Sequence, residues 1–92
     1  MDIKQEEQAT KGAFFVEVDG EKLAEMTYSK AGDTRIIIDH TEVDDRLRGQ
    51  GAGKQLVEAA VNMAREQGKK ILPLCPFARS VFQKSPELRD VL

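Results

Sequence analysis

The chain has 92 residues, 40% hydrophobic and 33% charged, with a formal net charge of −2. That length predicts one domain over residues 1–92 with a small core. No apolar run approaches the roughly 18 residues a membrane span needs, and the slight acidity without aromatic–basic interleaving argues against nucleic acid as a partner.

Residues 3–8 read as a short edge strand or a loose polar arm. Over 14–18 apolar and polar residues alternate, with Phe14, Val16 and Val18 on one face. Asp19-Gly20 is a two-residue hairpin turn into a strand over 22–29, where Ala24, Met26 and Tyr28 share a face. Gly32-Asp33 turns again into a strand over 34–43, and Ile36-Ile37-Ile38 is apolar on both faces, which predicts a central position. The front half is therefore an antiparallel meander.

A helix follows over about 51–67, with Leu56, Val57, Ala60, Met63 and Ala64 on its apolar stripe. Glu58, Arg65 and Glu66 face water, and Gly68 stops the helix. A strand over 70–75 should return parallel to the isoleucine strand through a right-handed crossover. A short last helix over 77–84 should bury Phe77, Val81 and Phe82. Pro73 donates no ladder hydrogen bond, so it marks either an ordinary edge or a place where two strands part. The fold class is α/β (α+β), a mixed and mostly antiparallel sheet of at most five strands with one long helix. Residues 1–7 lack the apolar core of a signal peptide, and a lone cysteine forms no internal disulfide, which fits a reducing cytoplasm.

Between meander and helix lies Arg48-Gly49-Gln50-Gly51-Ala52-Gly53-Lys54. Alternate glycines let successive backbone N–H groups point into one concavity. The first N–H groups of a helix have no intrahelical partner, and the helix dipole favours an anion there. With Arg46, Arg48 and Lys54 close by, the segment is a candidate phosphate or pyrophosphate site. A P-loop is excluded because Arg48 stands where its first glycine should be and Gln55 replaces the magnesium-binding hydroxyl. A dinucleotide fingerprint fails because its third glycine would fall on Lys54 or Leu56.

The loop resembles the pyrophosphate-binding loop of the GCN5-related N-acetyltransferases, R/Q-x-x-G-x-G/A. It matches in two registers, from Arg46 or from Arg48, of which the second is the better. His40-Thr41-Glu42-Val43 before it and Pro73-Leu74-Cys75-Pro76-Phe77 after the helix are similar to a subfamily of short acetyl-coenzyme A-binding members. Where that subfamily carries His-Pro-Glu-Tyr near its end, this chain has Ser85-Pro86-Glu87-Leu88. The resemblance implies acetyl-coenzyme A as cosubstrate and an amine as acceptor. It further implies a pantetheine arm running along Thr41 and Val43 and a pyrophosphate held by Arg48, Gly49, Gln50, Gly51, Ala52, Gly53 and Lys54. The thioester would then lie near Cys75 and Phe77.

Amide formation needs a base for the amine, a donor to the thioester carbonyl and an acid for the leaving thiolate. The family places a tyrosine on the last helix, but Tyr28 is the only tyrosine and lies on an early strand. Cys75 precedes a helix start, which can lower a thiol pKa, so it is a candidate nucleophile or acid; the alternative is a small buried hydrophobe. His40 and Glu42, two apart on a strand, are candidate bases sharing one side; the alternative for His40 is a local backbone partner. One histidine and one cysteine without a C-x-x-C pattern argue against a metal site. Two other readings stay open: a carrier, sensor or interaction module that binds acetyl-coenzyme A without turnover, and a regulatory domain using the loop for ATP. At 92 residues the sequence is shorter than usual for that superfamily, and the resemblance implies that the missing length corresponds to the N-terminal helical region that helps wall the acceptor site. The cleft should therefore be open, or completed by a partner protein or a second copy.

Overall fold

The computed structural model describes residues 1–92. Four strands precede residue 44: the wholly polar β1 (Lys4–Glu7), then β2 (Lys11–Val18), β3 (Glu21–Ala31) and β4 (Arg35–Val43), where apolar and polar residues alternate. A 3-10 turn (Asp45–Leu47) follows, then α1 (Ala52–Gln67), β5 (Lys70–Pro73), α2 (Pro76–Lys84) and a closing 3-10 segment (Pro86–Val91). The sheet order is β1-β2-β3-β4-β5, antiparallel throughout except for the parallel pair β4–β5. The isoleucine strand is thus an inner strand but not the central one, which is β3. Ile36 and Ile38 of β4 are buried on its core face, and Ile37 is half-buried on the other.

One sheet face presents Phe14, Val16, Met26, Tyr28, Ile36 and Ile38 to Leu56, Val57, Ala60, Val61 and Ala64 of α1. Ala78, Val81 and Phe82 of α2 and Leu88 and Val91 of the closing segment complete this core. The closing segment escapes a periodicity reading because it is only two 3-10 turns, opened by Pro86. Arg65 holds it in place, donating to Glu87 O at 2.8 Å and pairing with Asp90. Val18 does not join the core as its alternation predicts; it is 45% exposed. Val18 is the last residue of β2, beside the Asp19-Gly20 turn, and with Val16, Leu47 and Gln55 it lines an open hollow at that end of the sheet.

The opposite face has no covering helix and keeps itself polar instead. Lys4 pairs with Glu17 at 3.1 Å, and Lys22 with Glu6 at 2.8 Å and Glu25 at 3.2 Å. The Lys22 ammonium also stands 4.5 Å from the Phe15 ring centroid, which shields that aromatic from water. Such exposed pairs add little stability. Their effect is to make an uncovered face soluble.

Tyr28 ties the polar first strand to the core. Its ring lies over Gly12, where an added Cβ would meet Tyr28 Cζ at 2.3 Å. Its hydroxyl accepts from Gln5 Nε2 at 2.8 Å and donates to Glu7 Oε2 at 2.6 Å. Burial, and then the Glu7 hydrogen bond, push the phenol from 10.0 up to about 12. An unfolded chain would ionise this phenol first, so its contribution to stability is complete below pH 10.0 and is lost as pH rises towards about 12. Tyr28→Phe should therefore be less stable than wild type at pH 7, by about 1 kcal/mol for the lost hydrogen bonds. It should also lose less stability than wild type across the alkaline window. Urea denaturation at neutral and alkaline pH measures both, and equal alkaline losses in the two proteins would contradict this account.

Candidate functional site

β4 and β5 pair from Arg35–Lys70 to Ile38–Pro73, and there they part. Leu74 N–H makes the last bond, to Ile38 O at 3.0 Å. Beyond it Asp39, His40, Thr41, Glu42 and Val43 continue β4 with no strand on that side. Two local features produce the divergence. On β4, Asp39 is an extra residue against the Thr27–Tyr28 step of β3, and such a bulge bends its strand. On β5, Pro76 opens α2 and holds Cys75 extended (φ −77°, ψ 140°), so the chain turns away. Pro73 satisfies both readings of it. Lys70 and Leu74 donate towards β4, so the alternate Pro73 nitrogen faces the open edge, right where the strands separate.

The bulge also decides which side chains meet. Ile38 is opposite Tyr28, but one extra residue later it is Thr41, not His40, that follows on the inner face, opposite Met26. Thr41 Oγ1 lies 3.3 Å from Cys75 Sγ, and the same sulfur accepts from Ala78 N–H at 3.3 Å, capping α2. Cys75 is buried. His40 and Glu42 stand on the outer face, 65% and 78% exposed, with His40 Nε2 3.1 Å from Glu42 Oε1. The three residues that sequence reasoning groups as catalytic are therefore divided between the two faces of β4. A hollow of about 460 Å³ runs beside Glu42, lined also by Glu25, Val43 and Asp44.

The glycine loop is less direct than a strand-to-helix turn. Asp44 first caps a 3-10 turn by accepting from Arg46 N–H at 2.8 Å, and Leu47 anchors that turn in the core. An aspartate before a lone leucine was the available signal. Gly49 (φ 79°) and Gly51 (φ 71°) then adopt the left-handed conformation that β-carbons disfavour. α1 starts with Gly51 at its cap, no side-chain capping bond and no acidic residue in its first turn. Gln55 N–H, bonded to Gly51 O at 3.0 Å, is the first satisfied amide of the helix. The N–H groups of Gly49, Gly51, Ala52, Gly53 and Lys54 meet no protein acceptor. Gln50 is the exception in this run, because its N–H bonds Leu47 O at 3.2 Å. Gly53 has an ordinary helical φ, and a Cβ there would strike the Phe77 ring. Phe77 is 41% exposed and not in the core as its place in the last helix predicts; Ala78 takes the inward position.

The cations divide into two kinds. Arg46 grips Glu21 (3.1 and 3.0 Å) and Asp44 (2.9 Å), tying the loop to the β2–β3 hairpin. These partners raise its pKa still further, and Arg46 holds the Asp44 carboxyl at about 2. Arg48 meets only Asp45, at 2.8 Å, with both side chains largely exposed. Uncapped amides, a left-handed glycine turn and an exposed arginine together can hold a polyanion of two adjacent phosphates.

A profile of the GCN5-related N-acetyl-transferases matches residues 13–91, and the chain belongs to that family. It is 28% identical over 85 residues to Protein NATD1 of Xenopus tropicalis, a match covering 91% of this chain and 78% of that protein. The solution structure of a GCN5-like protein from Staphylococcus aureus is 41% identical, with a TM-score of 0.77 over 98% of this chain and 85% of that one. An aminoglycoside N-acetyltransferase in complex with coenzyme A shares the fold, with a TM-score of 0.68 at 14% identity over 90% and 88% of the two chains.

The unequal roles of the two arginines are measurable without any ligand. Arg46→Ala should lower Tm, since it frees the loop from the hairpin, whereas Arg48→Ala should leave Tm close to wild type. Differential scanning calorimetry checks this, and equal losses would contradict the assignment.

Proposed function

We propose that this protein binds acetyl-coenzyme A at the split between β4 and β5 and transfers the acetyl group to an amine. The observation that carries the reading is the run of unpartnered amides at Gly49, Gly51, Ala52, Gly53 and Lys54, in a loop whose Gly53 meets Phe77 just after β5. Family membership supports it, as does the same fold in an aminoglycoside N-acetyltransferase bound to coenzyme A.

In this reading the five amides and the exposed Arg48 and Lys54 side chains hold the pyrophosphate. The unpaired edge of β4 around Thr41 and Val43 accepts the pantetheine as an added strand would be accepted. Gln50 contributes loop shape and not an amide. Cys75 and Phe77 flank the inner side of the split. The amine approaches from the outer face, where Glu42 or His40 takes its proton as nitrogen attacks the thioester carbonyl. The carbon–sulfur bond then breaks, and the departing thiolate takes up a proton.

Two observations favour the runner-up, a module that binds acetyl-coenzyme A without turnover. Tyr28 is buried at 1% exposure and engaged with Glu7 and Gln5, so it is no acid for the leaving group. The Cys75 sulfur is likewise buried and occupied by Thr41 and Ala78. Thiol release from acetyl-coenzyme A, followed with a panel of amines, separates the two. Turnover should depend on the amine and fall by about 10²-fold in Glu42→Gln or His40→Ala. Turnover unchanged in both variants would remove the base assignment. Tight binding with no thiol release for any amine would establish the module, and an acetylated protein lost in Cys75→Ala would move the chemistry to the cysteine.

A further inference from the structure

Resting on the coenzyme A reading, we infer that Phe77 is a positioning residue that couples the glycine loop to the strand split, and that Gly53 lacks a side chain to admit its ring.

Three glycines stand in the loop, and a phosphate-binding sequence reading gives all of them one purpose. The structure separates them. Gly49 and Gly51 have positive φ and nothing within 4 Å of an added Cβ, so their constraint is backbone conformation. Gly53 is the reverse. Its backbone is ordinary helix, yet a Cβ would lie 2.3 Å from Phe77 Cζ, 2.6 Å from Cε1 and 3.2 Å from Cε2. Contacts this short force the ring or the helix to move. Gly53 is in the first turn of α1 and Phe77 in the first turn of α2, so the contact locks two helix N-termini together.

Phe77 is also an unusual occupant of that position. Its ring is wedged on Gly53 yet 41% of the residue faces solvent, whereas the neighbouring Ala78 is fully buried. The ring tip occupies the space that Gly53 leaves open, and its flank faces solvent. Phe77 follows the Cys75 cap of α2 by two residues, and its ring tip meets Gly53, one of the unpartnered amides. One ring therefore sets the spacing between the part of the site that takes phosphates and the part that takes the pantetheine arm.

A mutant cycle tests this, with coenzyme A and ADP as probes; ADP carries a pyrophosphate but no pantetheine. Gly53→Ala, Phe77→Ala and the double variant are compared with wild type for binding and for Tm. Gly53→Ala should weaken coenzyme A binding by roughly tenfold through the displaced ring. Phe77→Ala should weaken coenzyme A by roughly fivefold while changing ADP less than about twofold. In the Phe77→Ala background the added methyl should cost nothing further, in binding or in Tm. If the methyl remains as harmful without the ring, Gly53 is there for the ligand and the inference falls. If Phe77→Ala weakens ADP as much as coenzyme A, the ring is only structural support and the coupling claim falls. Wild-type protein that binds neither probe would overturn the coenzyme A reading and the positioning role with it. The Tm cycle would still decide whether Gly53 exists for the ring.

Discussion

The arrangement depends on one event in the sheet: β4 and β5 stop pairing after Ile38 and Pro73. A parallel pair buried on its helix side would ordinarily continue, since each added residue satisfies further backbone groups. Here the bulge at Asp39 bends one strand, and Pro76 commits the other to a helix. The cost is a stretch of β4 edge with unsatisfied donors and acceptors. In a folded protein such an edge invites another strand. The Pro73 nitrogen on the outer edge of β5 blocks that invitation on the far side, leaving the inside of the split as the available place.

The glycine loop poses the same problem at a helix end. α1 begins without a capping side chain or an acidic first turn, although the chain caps its 3-10 turn with Asp44 and α2 with Cys75. Five amides of the loop are left without acceptors, and the β4 edge past Ile38 is left without a partner strand, so the chain carries two sets of unmet hydrogen-bonding groups. In the function proposed above, a ligand combining a pyrophosphate with an extended amide-bearing arm would satisfy both sets. The Gly53–Phe77 contact joins the first turns of α1 and α2.

Much of this could be read from the residues alone. The meander, the hairpin at Asp19-Gly20, the amphipathic α1 and its Gly68 stop all follow from local periodicity and turn chemistry, and the structure shows each of them. What local pattern could not reveal depends on partners. The Asp39 bulge exists only against β3, and it alone turns Thr41 towards Cys75 and sends His40 and Glu42 to the opposite face. Counting by twos along β4 cannot detect that slip. Phe77 falls in the helix pattern as readily as Ala78, yet its ring rests over Gly53 and Ala78 is the buried residue. Val18 misleads for a different reason: it keeps its phase but ends β2 where the sheet is open.

The central claim is that the unpartnered amides of the loop and the unpaired edge of β4 form a single binding surface for coenzyme A. Backbone amide chemical shifts, recorded as coenzyme A is added to the intact protein, measure this residue by residue. The account predicts saturable shifts at Gly49, Gly51, Ala52, Gly53 and Lys54 together with Thr41, Glu42 and Val43, and little change in β1 and β2. Shifts confined to the loop, or centred on the outer sheet around Lys22 and Glu25, would contradict it.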